Sequence, residues 1–197
     1  MTTQFEPRGR HIRLPVEVRE QEDGGIRVTG YAAVFNEIAD IGGMFRERIE
    51  PGAFSEAIGR DDVVFLINHD GLPLARTRSG TLKLEEDEKG LRIDTTLDAD
   101  DPDVRSIVGK MRRGDLDKMS FAFRAVQQEW DESQEPPLRT IKRADLFDVS
   151  IVTNPAYEGT EIGLRSLEHA RRQKNFRAAR HRRRMKMNLA LRERENG

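Results

Sequence analysis

Apolar residues recur at every second position near the start of the chain. Ile12, Leu14, Val16 and Val18 alternate with polar neighbours over residues 11–19, which is the period of a half-buried strand. Pro15 inside the run predicts an edge strand, because proline cannot donate to a ladder. After the Gly24-Gly25 pair, Ile26, Val28, Ala32 and Val34 alternate again through residues 27–35. Two such runs around a short glycine turn predict a hairpin. Residues 36–43 read as a loop. Residues 51–60 predict a short helix with Pro51 near its first position. Residues 62–68 are a dense apolar run of strand length, which predicts burial on both faces. The run stops at His69-Asp70-Gly71.

The second half repeats these signals. Residues 81–84 and 91–97 flank the acidic segment 85–90 and predict another hairpin. Asp100-Asp101-Pro102 predicts a helix start, with an acidic cap and a proline in the first turn. Val104, Ile107, Val108 and Met111 then fall on one helical face, and Gly114 stands where a C-terminal glycine belongs. Residues 118–130 return to strand period. Met119, Phe121, Phe123 and Ala125 share one face, and Ser120, Ala122, Arg124 and Val126 the other. Residues 131–137 are a polar turn, and 138–144 and 145–153 complete the set, ended by Asn154-Pro155. Seven or eight short strands and two helices predict an α+β body built on a mostly antiparallel sheet or barrel. No internal repeat is visible.

Charge divides the chain. The 197 residues hold 34 Lys+Arg and 35 Asp+Glu, a net charge of -1. Residues 165–197 carry 12 basic and 3 acidic residues, leaving 22 and 32 for residues 1–164. Near-neutrality is thus the sum of an acidic body at -10 and a basic tail at +9. The expected division is a domain over 1–164 and a basic, helix-capable or disordered tail over 165–197. The Arg180-His181-Arg182-Arg183-Arg184-Met185-Lys186 run could bind phosphates, but seven residues do not make a nucleic-acid-binding domain. There is no run of about 18 apolar residues, so no membrane span is expected, and the N terminus lacks the apolar segment of a secretory signal. The chain has no cysteine, which removes disulfides, thiolate metal sites and cysteine nucleophiles. Neither a metal nor a cofactor is expected.

Histidine chemistry in the body must use His11 or His69, since His169 and His181 lie in the tail. His69 ends the densest apolar strand. There its ring can be held rigidly while meeting solvent, as a general base requires. The competing reading is a turn histidine bonded to Asp70 or to backbone. Ser120 sits mid-strand, where a serine is ordinarily a satisfied hydroxyl. Arg124 on the same face indicates that this face is not dry core. Asp148 lies inside Leu146-Phe147-Asp148-Val149-Ser150-Ile151, with Phe147, Val149 and Ile151 directed one way and Asp148 and Ser150 the other. A buried acid needs a partner: either a histidine to orient, or a salt bridge to Arg124, Arg139 or Arg143. Asp145 is the fallback acid. Glu85, Glu86, Asp87 and Glu88 read as a solvated hairpin tip. Asp98, Asp100, Asp101 and Asp103 lack the spacing of a calcium loop and are better explained by helix capping.

Five motifs occur in one order: Gly30-Tyr31-Ala32-Ala33-Val34-Phe35; Glu50-Pro51-Gly52-Ala53-Phe54; Asn68-His69-Asp70; Lys118-Met119-Ser120-Phe121-Ala122-Phe123; and Asp148-Val149-Ser150-Ile151-Val152-Thr153-Asn154-Pro155-Ala156. Together they resemble the prohead (capsid maturation) serine proteases of tailed phages, the HK97-type family, which is distantly similar to herpesvirus assemblin. The resemblance spans about residues 10–165. It implies an assemblin-like fold, a small β-barrel surrounded by short helices. It places the family's histidine on His69, its serine on Ser120 and its acid on Asp148. Assemblin-type enzymes use a second histidine as third member, and His11 is the other histidine of the body.

The resemblance also implies a serine endopeptidase that cleaves capsid precursor or scaffold protein, and itself, inside the prohead in the host cytoplasm. Phages, prophages and gene transfer agents are all expected sources. Backbone N–H groups around Asn154, Ala156 and Tyr157 are the expected oxyanion donors. A homodimer is a candidate assembly, and neither membrane nor nucleic acid is an expected partner. The competing reading is a non-catalytic scaffold- or capsid-binding assembly protein. Retention of the histidine, serine and acid in matching motifs argues against it.

Overall fold

A computed structural model describes residues 6–9, 16–21, 24–153, 171, 172 and 182. In chain order its elements are β1 (Glu6–Gly9), β2 (Glu17–Glu20), β3 (Ile26–Val34), β4 (Ala39–Ile41), β5 (Phe45–Ile49), α1 (Ser55–Arg60), β6 (Val64–Ile67), β7 (Asp70–Arg76), β8 (Leu82–Glu86), β9 (Gly90–Leu97), α2 (Pro102–Arg113), β10 (Lys118–Asp131) and β11 (Leu138–Val152). The class is α+β, mostly strand with few helices.

Among the described residues no barrel closes, and the expectation of one is corrected to two sheets. One is four-stranded, in the order β2-β3-β9-β8. The other is seven-stranded and forks at β11. Its first stretch, Leu138 to Ile141, runs parallel to β5, and its last, Asp148 to Ile151, runs parallel to β6. A strand that serves two different partners along one edge splits the sheet instead of curling it shut. The other strand pairs are antiparallel.

One apolar cluster joins both sheets to both helices. Val28 and Leu91 enter from the smaller sheet, Phe121 and Val149 from the larger, Ala57 from α1 and Ile107 from α2. Phe54 meets Phe121 edge-on at 5.6 Å, and Phe121 lies 5.3 Å from Phe123. Burying one such ring contributes about 1.5–3 kcal/mol, so this cluster fixes β10 firmly. Helix α2 follows its sequence signals. Asp101 accepts a hydrogen bond from the Asp103 N–H at 2.8 Å, Val104, Ile107, Val108 and Met111 are buried, and Gly114 closes the helix at φ 80°.

Several elements depart from expectation. The expected helix over 51–60 begins only at Ser55, because Gly52 has φ 86° and breaks any helical run before it. The expected loop over 36–43 contains β4, which pairs with β5. The apolar run 62–68 is not buried on both faces. Val63 and Phe65 are buried, but Val64, Leu66 and Ile67 are half-buried. Strand β7 follows at once, although most of its residues are exposed and no apolar alternation announces it. The two strands expected over 138–153 are one.

The chain forms two compact units, Met1–Thr160 and Glu161–Gly197. All the elements above lie in the first. Of the second, Arg171, Arg172 and Arg182 are described, each helical and exposed; the rest of the expected tail lies outside the described residues. Among the described residues no helix is long and apolar enough to cross a membrane.

Candidate active site

Strand pairing brings the chemistry of β10 and β11 onto one surface. Ser120 is directly opposite Ser150, and Ala122 is opposite Asp148. Side chains alternate along a strand, so Ser120, Ser150 and Asp148 share a face while Phe121 and Val149 turn to the core. Ser120 and Ser150 are fully buried, and Asp148 nearly so.

A bulge then alters the alternation. Phe123 pairs with Leu146, so Phe147 is the extra residue in β11. Leu146, not Phe147, therefore enters the core, contrary to the expected alternation. The bulge also turns Asp145 to the same face as Asp148, three residues away, although strict alternation would oppose them.

His69 comes from a different element. The β6–β7 hairpin is closed by Ile67 opposite Asp70, leaving a two-residue loop of Asn68 and His69. Both are left-handed, at φ 51° and 61°, as a type I′ turn requires. Asn and His are among the residues that enter this region most readily. Because β6 runs parallel to β11 with Ile67 opposite Ile151, the turn emerges beside the Ser150 end of the strand.

The imidazole bridges the other two groups. His69 Nδ1 lies 2.6 Å from Asp148 Oδ1, and His69 Nε2 lies 2.6 Å from Ser120 Oγ. The partners' chemistry assigns the proton positions. An ionised carboxylate only accepts, so Nδ1–H donates to Asp148, leaving the Nε2 lone pair to accept from the Ser120 hydroxyl. Asp148 Oδ1 accepts a second bond from Ser150 Oγ at 2.7 Å, and that hydroxyl also lies 3.3 Å from Nδ1. A carboxylate this deeply buried needs such partners.

The competing partners for Asp148 are engaged elsewhere. Arg124 Nε donates to Asp145 at 3.0 Å, Arg139 Nη1 to Glu47 at 3.0 Å, and Arg143 Nη1 to Glu56 at 3.3 Å. Asp145, the fallback acid, does not meet His69; Arg60 joins Arg124 on its carboxylate. Burial pushes the Asp145 carboxyl up, but hydrogen bonds from Arg124 and Arg60 outweigh it and hold the group below the usual carboxylate range.

Other sequence candidates fall into structural roles. Asp98 and Asp101 each accept a backbone N–H at 2.8 Å at the head of α2. The acidic segment 85–88 is more than a solvated tip. Glu86 accepts the Phe54 N–H at 2.9 Å, and Asp87 accepts the Tyr31 hydroxyl at 2.6 Å. Among the described residues no three His, Asp or Glu side chains converge as a metal site would need. Asn154, Ala156 and Tyr157, expected to bear on the oxyanion, lie outside the described residues, as does His11. Sequence reasoning gave no role to Asn68 or Ser150. The Asp-x-Ser spacing, which puts both side chains on one strand face, was the available signal for Ser150.

A family model described as caudovirus prohead serine protease matches residues 14–174. The prohead protease of Enterobacteria phage HK97 is 31% identical over 138 residues, covering 68% of this chain and 57% of that protein. The prohead protease of Escherichia phage T5 is 28% identical over 102 residues, covering 51% of this chain and 45% of its own length. The chain thus spans about half the length of the curated relatives it matches. No solved structure matches. With the family model covering most of the sequence, the chain belongs to the caudovirus prohead serine protease family.

Proposed function

We propose that the protein is a serine endopeptidase of capsid maturation, with Ser120 as nucleophile, His69 as base and Asp148 as the group that orients the imidazole. The observation that carries this reading is the continuous chain Ser120 Oγ, His69 Nε2, His69 Nδ1, Asp148 Oδ1, with both contacts at 2.6 Å. Ser120 Oγ attacks the scissile carbonyl carbon as its proton passes to Nε2. Nδ1–H stays on the imidazole, and the Asp148 carboxylate stabilises the cation that forms. Collapse of the tetrahedral intermediate breaks the C–N bond, and Nε2–H protonates the leaving amine. Water then hydrolyses the acyl-enzyme with His69 again as base. Because Ser120 is buried in this state, entry of an extended substrate requires local opening around it. Backbone N–H groups of Asn154, Ala156 and Tyr157 are the proposed oxyanion donors.

The relatives bear the name prohead protease, which supports capsid precursor or scaffold protein as substrate, with self-cleavage, inside the prohead. The +9 segment over 165–197 is proposed to dock an acidic scaffold during assembly. Co-expression with the capsid precursor tests this function. Wild type should shorten the precursor and Ser120→Ala should not; processing by Ser120→Ala at the normal rate would overturn it.

A further inference from the structure

We propose that Asn68 is a positioning residue that latches the His69 turn to the end of β11; the proposal rests on His69 being the base. His69 sits in a two-residue turn in which both residues are left-handed, and β7 beyond it is an edge strand that, among the described residues, pairs only with β6. Two turn residues on a sheet edge do not by themselves hold an imidazole to a fraction of an ångström. Asn68 supplies the tie. Its own N–H donates to the Ile151 carbonyl at 2.9 Å. Its side-chain oxygen accepts the Thr153 N–H at 3.0 Å and the Thr153 hydroxyl at 3.3 Å. The same amide therefore closes the parallel β6–β11 ladder past its last strand pair. Through β11, the turn is keyed to Ser150 and Asp148, the groups with which His69 must register.

Two requirements meet at this position and can be separated. The residue must accept φ 51°, and it must present an acceptor to Thr153. Glycine meets the first more easily than asparagine and lacks the second. If only the turn matters, Asn68→Gly is harmless; if the latch matters, it is not. Asn68→Ala fails both.

The test follows fluorophosphonate labelling of the full-length chain, with melting temperature as a check on folding and the downfield His69 Nδ1–H resonance as a readout independent of turnover. Displacing a catalytic group by about 1 Å costs on the order of 10²-fold, so Asn68→Gly should fold and label about 10²-fold more slowly. Its Nδ1–H resonance should broaden or move upfield. A folded Asn68→Gly that labels within twofold of wild type, with the resonance unchanged, overturns the latch while leaving His69 as base. Wild-type labelling by His69→Ala would instead overturn the reading on which the latch rests.

Discussion

Ser120 and Ser150 are directly opposed across the β10–β11 ladder, yet they meet opposite ends of one imidazole. Ser120 Oγ is 2.6 Å from Nε2, whereas Ser150 Oγ is 3.3 Å from Nδ1 and 2.7 Å from the Asp148 carboxylate. Two chemically identical hydroxyls are thereby given different work. One can lose its proton to the ring; the other donates to the acid and holds it in place.

Removing the second hydroxyl should weaken the site without dismantling it. A hydrogen bond to a charged group contributes about 1.5–3 kcal/mol, and each 1.4 kcal/mol of barrier is about tenfold in rate. Ser150→Ala should fold, retain Ser120 as the labelled residue and react about 10- to 100-fold more slowly. Steady-state kinetics on a cleaved peptide should put that loss in kcat with KM little changed.

The two acids of β11 should behave oppositely. Asp148→Asn preserves shape but removes the charge that stabilises the imidazolium, and kcat should fall by on the order of 10⁴-fold. Asp145→Asn should leave the labelling rate near wild type and change acid stability instead. The Asp145 carboxyl is held below its ordinary value of 3.8 by Arg124 and Arg60, against the opposing push of burial. Its contribution is therefore fully present above that value and is lost as pH falls through the lower folded value. Melting temperatures of wild type and Asp145→Asn should differ most near neutral pH and converge in strong acid.

The Glu47–Arg139 pair, 2% and 1% exposed, gives a stability test away from the chemistry. Arg139→Met leaves a buried carboxylate without its cation and should cost about 3–5 kcal/mol. Adding Glu47→Leu should restore most of that loss, because no buried charge is then left without its partner. Denaturant unfolding of the two single variants and the double variant measures the coupling.

Deleting residues 171–197 should leave peptide cleavage intact and lower incorporation into proheads, as counted by particle composition. Unchanged incorporation would refute scaffold docking by the tail.

Legibility followed physics. Helix α2 was readable because its cap, its apolar face and Gly114 all agree locally. His69, Ser120 and Asp148 were found through motifs, but their meeting depends on long-range pairing: β6 beside β11, and β10 beside β11. Periodicity carries no record of that. Strand β5 was overlooked because Glu47 interrupts its apolar alternation, and Arg139, 92 residues away, makes that charge tolerable. Strand β7 lacks a buried face to advertise it. The Phe147 bulge reversed one alternation, and nothing local marks the extra residue. The barrel was expected from strand count and family resemblance, neither of which reveals that β11 divides its edge between β5 and β6.

Covalent trapping tests the central claim most directly. The chain is treated with a fluorophosphonate and the adduct is located by peptide mass spectrometry in wild type and in His69→Ala. One adduct is expected, on Ser120, formed at least about 10³-fold more slowly without His69. An adduct on another serine, or Ser120 labelling at an unchanged rate in His69→Ala, would contradict it.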